Sequence, residues 1–186
     1  MRRLVGILTA AAALAGAGCG NTRTQPPDIE HPDPPLRSQV VDYGDAGVAF
    51  TAPANWQSLP ADGPLVGGIR NKTATVAVWR YPRTEPLPAT KRALEEVRGL
   101  LEARIELRNP TFQIRTSRLR RRGGTTGIEV VGSQTIAGLP YDVRSSHLFK
   151  AGAEVVVDAY APPGDFKRVD RTVFKPLLKS LKVTSP

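Results

Sequence analysis

Ser145, His147 and Asp158 contain the elements of a nucleophilic triad: a hydroxyl, an imidazole base and a carboxylate that could orient the base. No Gly-x-Ser-x-Gly elbow surrounds the serine. A second group, Arg115, Arg118, Arg120, Arg121 and Arg122, runs into Gly123-Gly124. Arginine forks grip phosphate and carboxylate oxygens in pairs, so the run suits an anionic lipid surface or an acidic envelope protein, or else a solvated strand end. In a strand Arg118, Arg120 and Arg122 share one face and Arg121 takes the other. Trp56, just past Pro53, either caps a sheet end or borders an apolar pocket, whereas Trp79 sits inside a strand and is expected in the core. His31 has no cysteine, histidine or carboxylate cluster at ligand spacing, and phosphate-cradling glycine loops are missing too, so no metal or cofactor is expected.

The lone cysteine, Cys19, has the strongest local context. Arg2 and Arg3 precede an uncharged run from Leu4 to Gly18, too short for a bilayer span of roughly 20 residues. Basic start, apolar centre and small residues before a cut form an export signal. Gly16-Ala17-Gly18-Cys19 resembles a lipobox, departing from it in having Gly16 where leucine is preferred. On this reading residues 1–18 are a lipoprotein signal peptide, Cys19 carries the lipid, and the protein hangs from the extracytoplasmic face of a bacterial membrane. Ala15-Gly16-Ala17 offers a competing cut after Ala17, which would release a soluble protein with one thiol.

The chain has 186 residues and net charge +9; without Arg2 and Arg3 the balance is +7. A basic exported protein is drawn to anionic head groups or wall polymers, and export keeps it away from nucleic acid. With one cysteine no internal disulfide can form, so packing must hold the fold. Residues 19–37, with prolines at 26, 27, 32, 34 and 35, read as a tether with too little apolar surface to order itself. As a polyproline spacer it would lift the domain by as much as roughly 50 Å.

Residues 38–186 form one α+β domain on this reading. Strands are expected at Val40–Tyr43, from Gly47 to Pro53, at Leu65–Arg70 and at Ala74–Tyr81. A helix over 89–107 presents Leu94, Val97, Leu101 and Ile105 on one face. Strands then follow at Phe112–Arg121, Thr126–Ile136, Pro140–Phe149 and Ala153–Ala161. Asp165 caps a last helix in which Pro176 should cause a kink or a break. Around Lys150-Ala151-Gly152 a three-residue loop is expected. It pairs His147 with Val155 and Arg144 with Asp158, gathers the valines on one face, and separates Asp158 from Ser145 and His147.

Phe50-x-x-Pro53-x-x-Trp56, the amphipathic middle helix and the closing Phe174…Leu177-Leu178…Ser180-Leu181 resemble PsbP-like domains over about residues 38–183. Lipoproteins of the LpqN-like group are among them. The resemblance implies a three-layer α/β/α sandwich around an antiparallel sheet, a non-enzymatic binding or accessory role, and no catalytic residues to carry over. The readings that remain are an anchored accessory protein, a carrier or sensor of a small apolar or anionic ligand, and, last, a hydrolase.

Overall fold

The computed structural model describes residues 28–186 except Gly123. Seven antiparallel strands form the main sheet: β3 (Gln57–Leu59), β4 (Leu65–Asn71), β5 (Ala74–Pro82), β6 (Gln113–Arg122), β7 (Thr125–Ile136), β8 (Leu139–Lys150) and β9 (Ala153–Ala161). Their order across the sheet is β3-β4-β5-β9-β8-β7-β6. A second sheet sets β2 (Val48–Pro53) between β1 (Ser38–Tyr43) and the two-residue β10 (Lys182–Val183). The short β3 and β10 were not foreseen, having too few residues for any periodicity to show.

Side-chain alternation along the main sheet separates two cores. Val76, Val78, Val155, Val157 and Ala159 point to one side, where they meet Phe50 of β2, Trp56 from the turn after it, and Phe166, Phe174 and Leu177 of the C-terminal helices. Ile128, Val130 and Phe149 point to the other, toward Leu94 of α1 (Lys91–Arg108) with Val97, Leu101 and Ile105 beside it. The expected apolar stripe on α1 is therefore the one that packs, and Thr90 caps the helix by accepting from the Ala93 N–H at 3.1 Å. The layer opposite α1 is mixed, made jointly by helices and the small sheet, so a purely helical third layer is not what forms.

That helical part is α2 (Pro163–Val169), a π-helical turn (Asp170–Phe174) and α3 (Lys175–Ser180). The irregularity expected at Pro176 appears one turn earlier. Proline lacks an N–H and crowds the carbonyl four residues back, and the chain relieves this by widening, with the Lys175 N–H donating to the Asp170 carbonyl. Asp165 is not the cap it was expected to be. Pro162 holds that position, and Asp165 lies in the first turn with Arg168 donating to it at 2.7 Å.

The tether also differs from expectation. Residues 28–37 lie against the domain as a strap, with Pro32 buried. The Asp33 N–H donates to Asn71, Lys72 donates to Asp33 at 2.7 Å, and Asn55 both donates to the Pro34 carbonyl and accepts from the Leu36 N–H. Arg168 of α2 donates to the Pro32 carbonyl at 2.9 Å. Proline-rich sequence lacks a core of its own but can still be held by backbone hydrogen bonds to a neighbour, which composition does not reveal.

The β8–β9 turn is the most consequential correction. Lys150 pairs with Ala153, leaving a two-residue loop, Ala151-Gly152, with φ of 52° and 68°. Positive φ at both positions is the type I′ geometry whose twist matches a hairpin. His147 then faces Val156, and Ser145 faces Asp158. The valines do divide between faces, as a two-residue loop requires: Val155 and Val157 enter one core, while Val143 and Val156 line the opposite side. The sheet tolerates this because both of its faces are covered.

The β7–β8 turn repeats the device at Ala137-Gly138, with φ of 50° and 81°. An L-residue in the left-handed region costs about 1 kcal/mol, and asparagine tolerates it best. Ala137 is exposed. Ala137→Asn should therefore stabilise the protein by roughly 0.5–1 kcal/mol; urea denaturation would read this as a raised midpoint at unchanged slope.

Candidate functional site

With this register, Ser145, His147, Glu154 and Asp158 share one face of the sheet, beneath the C-terminal half of α1. They form the floor of a cleft of about 530 Å³. Leu101 and Ile105 of α1, Phe112, Val143 and Val156 give apolar walls, and Tyr81 and Tyr160 add phenols. Arg83, Arg104 and Arg108 stand around it.

The floor is a continuous hydrogen-bonded chain. Ser145 Oγ lies 2.6 Å from Asp158 Oδ1 and 3.0 Å from His147 Nε2. His147 Nδ1 lies 2.8 Å from Glu154 Oε1, which Arg83 also approaches through the other carboxylate oxygen at 3.0 Å. Burial opposes ionisation of Glu154, but the His147 hydrogen bond and charge together with Arg83 outweigh it and hold its pKa below the ordinary value. Asp158 keeps some contact with the cleft, yet burial pushes its pKa up against the bonds from Ser145 and its neighbours. Burial and the nearby Asp158 push the Tyr160 phenol up as well. The Trp79 indole N–H, on the same face and only half-buried rather than in the core, finds no partner of good geometry, although it is close enough to Asp158 to favour its ionised form.

Ser145 Oγ donates to Asp158, and the His147 ring meets the serine through Nε2 and Glu154 through Nδ1. With its hydrogen directed to Asp158, the serine hydroxyl does not give it to His147. Ser145 is also in the middle of a strand paired on both sides, to Val130 and to Asp158, so its backbone N–H belongs to the sheet and not to an oxyanion hole. Donors and acceptors are fixed in place on the floor, and charge stands at the mouth. Arg104 and Arg108 make no ion pair among the described residues.

Trp56, expected at a pocket edge, is not at this cleft. It is 2% exposed in the opposite core, edge-to-face with Phe174 at 6.4 Å. Arg104, Arg108, Glu154 and Tyr160 were not singled out from the sequence. Glu154 could have been found, because the two-residue loop puts it beside His147.

The arginine run lies across the sheet from this cleft, and its centre is Glu129, 1% exposed on β7. Arg118 donates to it at 2.9 Å, Arg120 approaches at 3.4 Å, Arg122 makes a short contact, and Arg144 lies at 2.8 Å. Arg144, expected opposite Asp158, instead points to this side and grips Asp170 through two bonds of 2.6 and 2.9 Å. Arg115 occupies a β-bulge and pairs with Asp142 at 2.7 Å. Arg118, Arg120 and Arg122 do share a face, as alternation requires, and Arg121 is exposed without joining them. Cys19 lies outside the described residues. Among those described there is no cluster fit to hold a metal, and no helix is long and apolar enough to cross a membrane.

This architecture is PsbP-like: an antiparallel sheet carrying one long helix on one face and broken helices with a small sheet on the other. The PsbP of the cyanobacterium Synechocystis sp. PCC 6803 superimposes with a TM-score of 0.60 at 13% identity, covering 78% of this chain and 92% of that one. LpqN of Mycobacterium tuberculosis, described as involved in cell envelope biogenesis, gives 0.57 at 19% identity, covering 80% and 91%. The yeast Ran-binding protein Mog1p of Saccharomyces cerevisiae gives 0.52 at 8%, covering 81% and 97%. No family model matches the sequence, and no curated protein sequence does either. At these identities the likeness is one of fold.

Burial alone would push the Glu129 pKa up, but the Arg118 hydrogen bond, the Arg144 charge and Arg122 outweigh it and bring it to about 2. Unfolded, the group takes up its proton near 4.5. The folded pKa is the lower one, so this stabilisation is complete above pH 4.5 and is lost as pH falls toward 2. It amounts to roughly 3 kcal/mol. Glu129→Gln should cost about 3–5 kcal/mol at pH 7, because the arginines lose their counter-charge. Its stability, followed by urea titration from pH 7 to 2.5, should also fall less steeply on the acid side.

Proposed function

We propose that this is a lipid-anchored, non-enzymatic binding protein of the cell envelope, held by lipid on Cys19 at the extracytoplasmic face. The cleft under α1 is its ligand site. The observation that carries the reading is the contrast between floor and mouth. The floor satisfies its own charges through Arg83, Glu154 and His147, whereas Arg104 and Arg108 at the mouth make no close ion pair among the described residues, Arg104 acting on Glu154 only at longer range. A small molecule that brings an anionic group to these two arginines, an apolar part to Ile105, Phe112 and Val156, and hydrogen-bonding groups to Ser145 and Asp158 meets every wall. The fold shared with an envelope protein, LpqN, is in keeping with this setting. With Cys19 lipidated and the strap docked from residue 28, the eight residues 20–27 would reach about 25 Å from the bilayer if extended.

Two measurements test the reading. Intact mass of the membrane fraction should show a diacylated or triacylated chain beginning at Cys19, and Cys19→Ala should move the protein out of that fraction. A soluble, unmodified mature chain starting at Gly18 would refute the anchor. Native mass spectrometry of protein from its own host should show a co-purifying anionic small molecule. Arg104→Ser with Arg108→Ser should weaken its binding at least tenfold, since each lost charge-assisted bond is worth about 1.5–3 kcal/mol. Unchanged occupancy in that variant would remove the cleft from consideration.

A further inference from the structure

The cationic surface around Glu129 extends well beyond the arginine run. Arg122, Lys150 and Lys179 line one shallow hollow between the end of β6, the end of β8 and α3. Lys175 pairs with Asp170 at 2.9 Å, and Asp170 is the residue that Arg144 grips. One connected surface thus joins Arg118, Arg120 and Arg122 with Lys150, Lys175 and Lys179.

Depth sorts the charges on this surface. The carboxylates Glu129 and Asp170 lie beneath, at 1% and 8% exposure, while Arg118, Arg120 and Lys175 are each about half exposed, at 49%, 50% and 50%. The buried acids hold the arginines in place and neutralise part of their charge, yet the face turned to solvent along this network presents cations. Fixed guanidinium groups lose little entropy on meeting phosphate oxygens.

Alternation puts this face on the opposite side of the sheet from the ligand cleft. Arg118, Glu129 and Arg144 point one way from β6, β7 and β8, whereas Ser145 and His147 point the other. The strap's Pro32 carbonyl is held by Arg168 of α2, in the layer on this same side of the sheet, while Glu30 and Asp33 are held at the β4–β5 turn.

We infer that this face lies against the anionic phospholipid headgroups of the membrane, so that the cleft under α1 opens away from the bilayer toward the rest of the envelope. The inference rests on the anchored reading above, since the lipid supplies the local concentration, but the two are read by different measurements. Lipidation is read by intact mass, and the face by vesicle binding of the full chain carrying Cys19→Ala.

Replacing Arg118, Arg120 and Arg122 would be an ambiguous test, because their loss strands Glu129 and threatens the fold. Lys150 and Lys179 make no ion pair among the described residues and can be removed without that risk. The full-length Cys19→Ala protein should co-sediment with phosphatidylcholine vesicles containing phosphatidylglycerol, not with phosphatidylcholine alone, and should be released by salt. Lys150→Ser with Lys179→Ser should weaken that binding about thirtyfold, at about a factor of five per basic residue near the surface. Lys91→Ser with Arg92→Ser removes the same charge from the first turn of α1, on the far side, and should change it little. Equal losses in the two pairs would mean attraction by net charge alone and would overturn the inference. So would equal binding to neutral and anionic vesicles, or no binding to either.

Discussion

Glu129 is the residue on which the second half of the domain depends. A carboxylate buried on the strand next to the sheet's edge would normally be expelled or protonated, since removing its charge from water costs several kcal/mol. Here one arginine from the next strand, Arg144, and three from the edge strand surround it, and Arg144 continues to Asp170 in the π-helical turn. The run of alternating positive charges down β6 is thereby given a fixed register against β7, and the C-terminal helices are tied to the same point. An edge strand so rich in like charges would otherwise repel itself. The buried acid converts that repulsion into a constraint on where β6 can sit.

The sheet keeps two polar systems apart. On the α1 side the chain from Asp158 through Ser145 and His147 to Glu154 holds protons and offers hydrogen bonds. On the other side the Glu129 network holds fixed charges. The two differ in kind: one is a chain of hydrogen bonds between neighbouring side chains, whereas the other is a network of ion pairs around a carboxylate whose pKa is held at about 2. The PsbP-like fold allows this because it covers both sheet faces without using every position on either for apolar packing.

Long, strongly periodic elements were legible in the sequence. The stripe Leu94, Val97, Leu101, Ile105 gave α1 its position and its buried side, and four strands from β6 onward fell within a residue or two of their observed limits. The alternation of Arg118, Arg120 and Arg122 placed them correctly on one face, though not the acid that organises them, because Glu129 lies on another strand. What failed were choices decided by a single residue in a turn. Alanine is a poor occupant of the left-handed region, so Ala151-Gly152 read as the end of a longer loop. That one shift sent Asp158 away from Ser145, gave Arg144 the wrong partner and hid Glu154. Valines on both faces of this hairpin are compatible with its sequence only because both faces of the sheet are covered, which the local sequence does not reveal. Trp56 and the strap were misjudged for a related reason, as both are settled by what packs over them from distant parts of the chain.

Arg80 carries a consequence for the order in which the domain can assemble. Its guanidinium, 8% exposed, donates to the carbonyls of Ala46, Ala151 and Thr184, each at 2.9 Å and separated from it by 34, 71 and 104 residues. Until β10 is in place one of these acceptors is missing, and a buried cation is left short of partners. Closing such long loops is slow, and the gain arrives only when all three ends meet. The last few residues thus act as a latch: one buried side chain ties together the small sheet, the β8–β9 turn and the C-terminal segment.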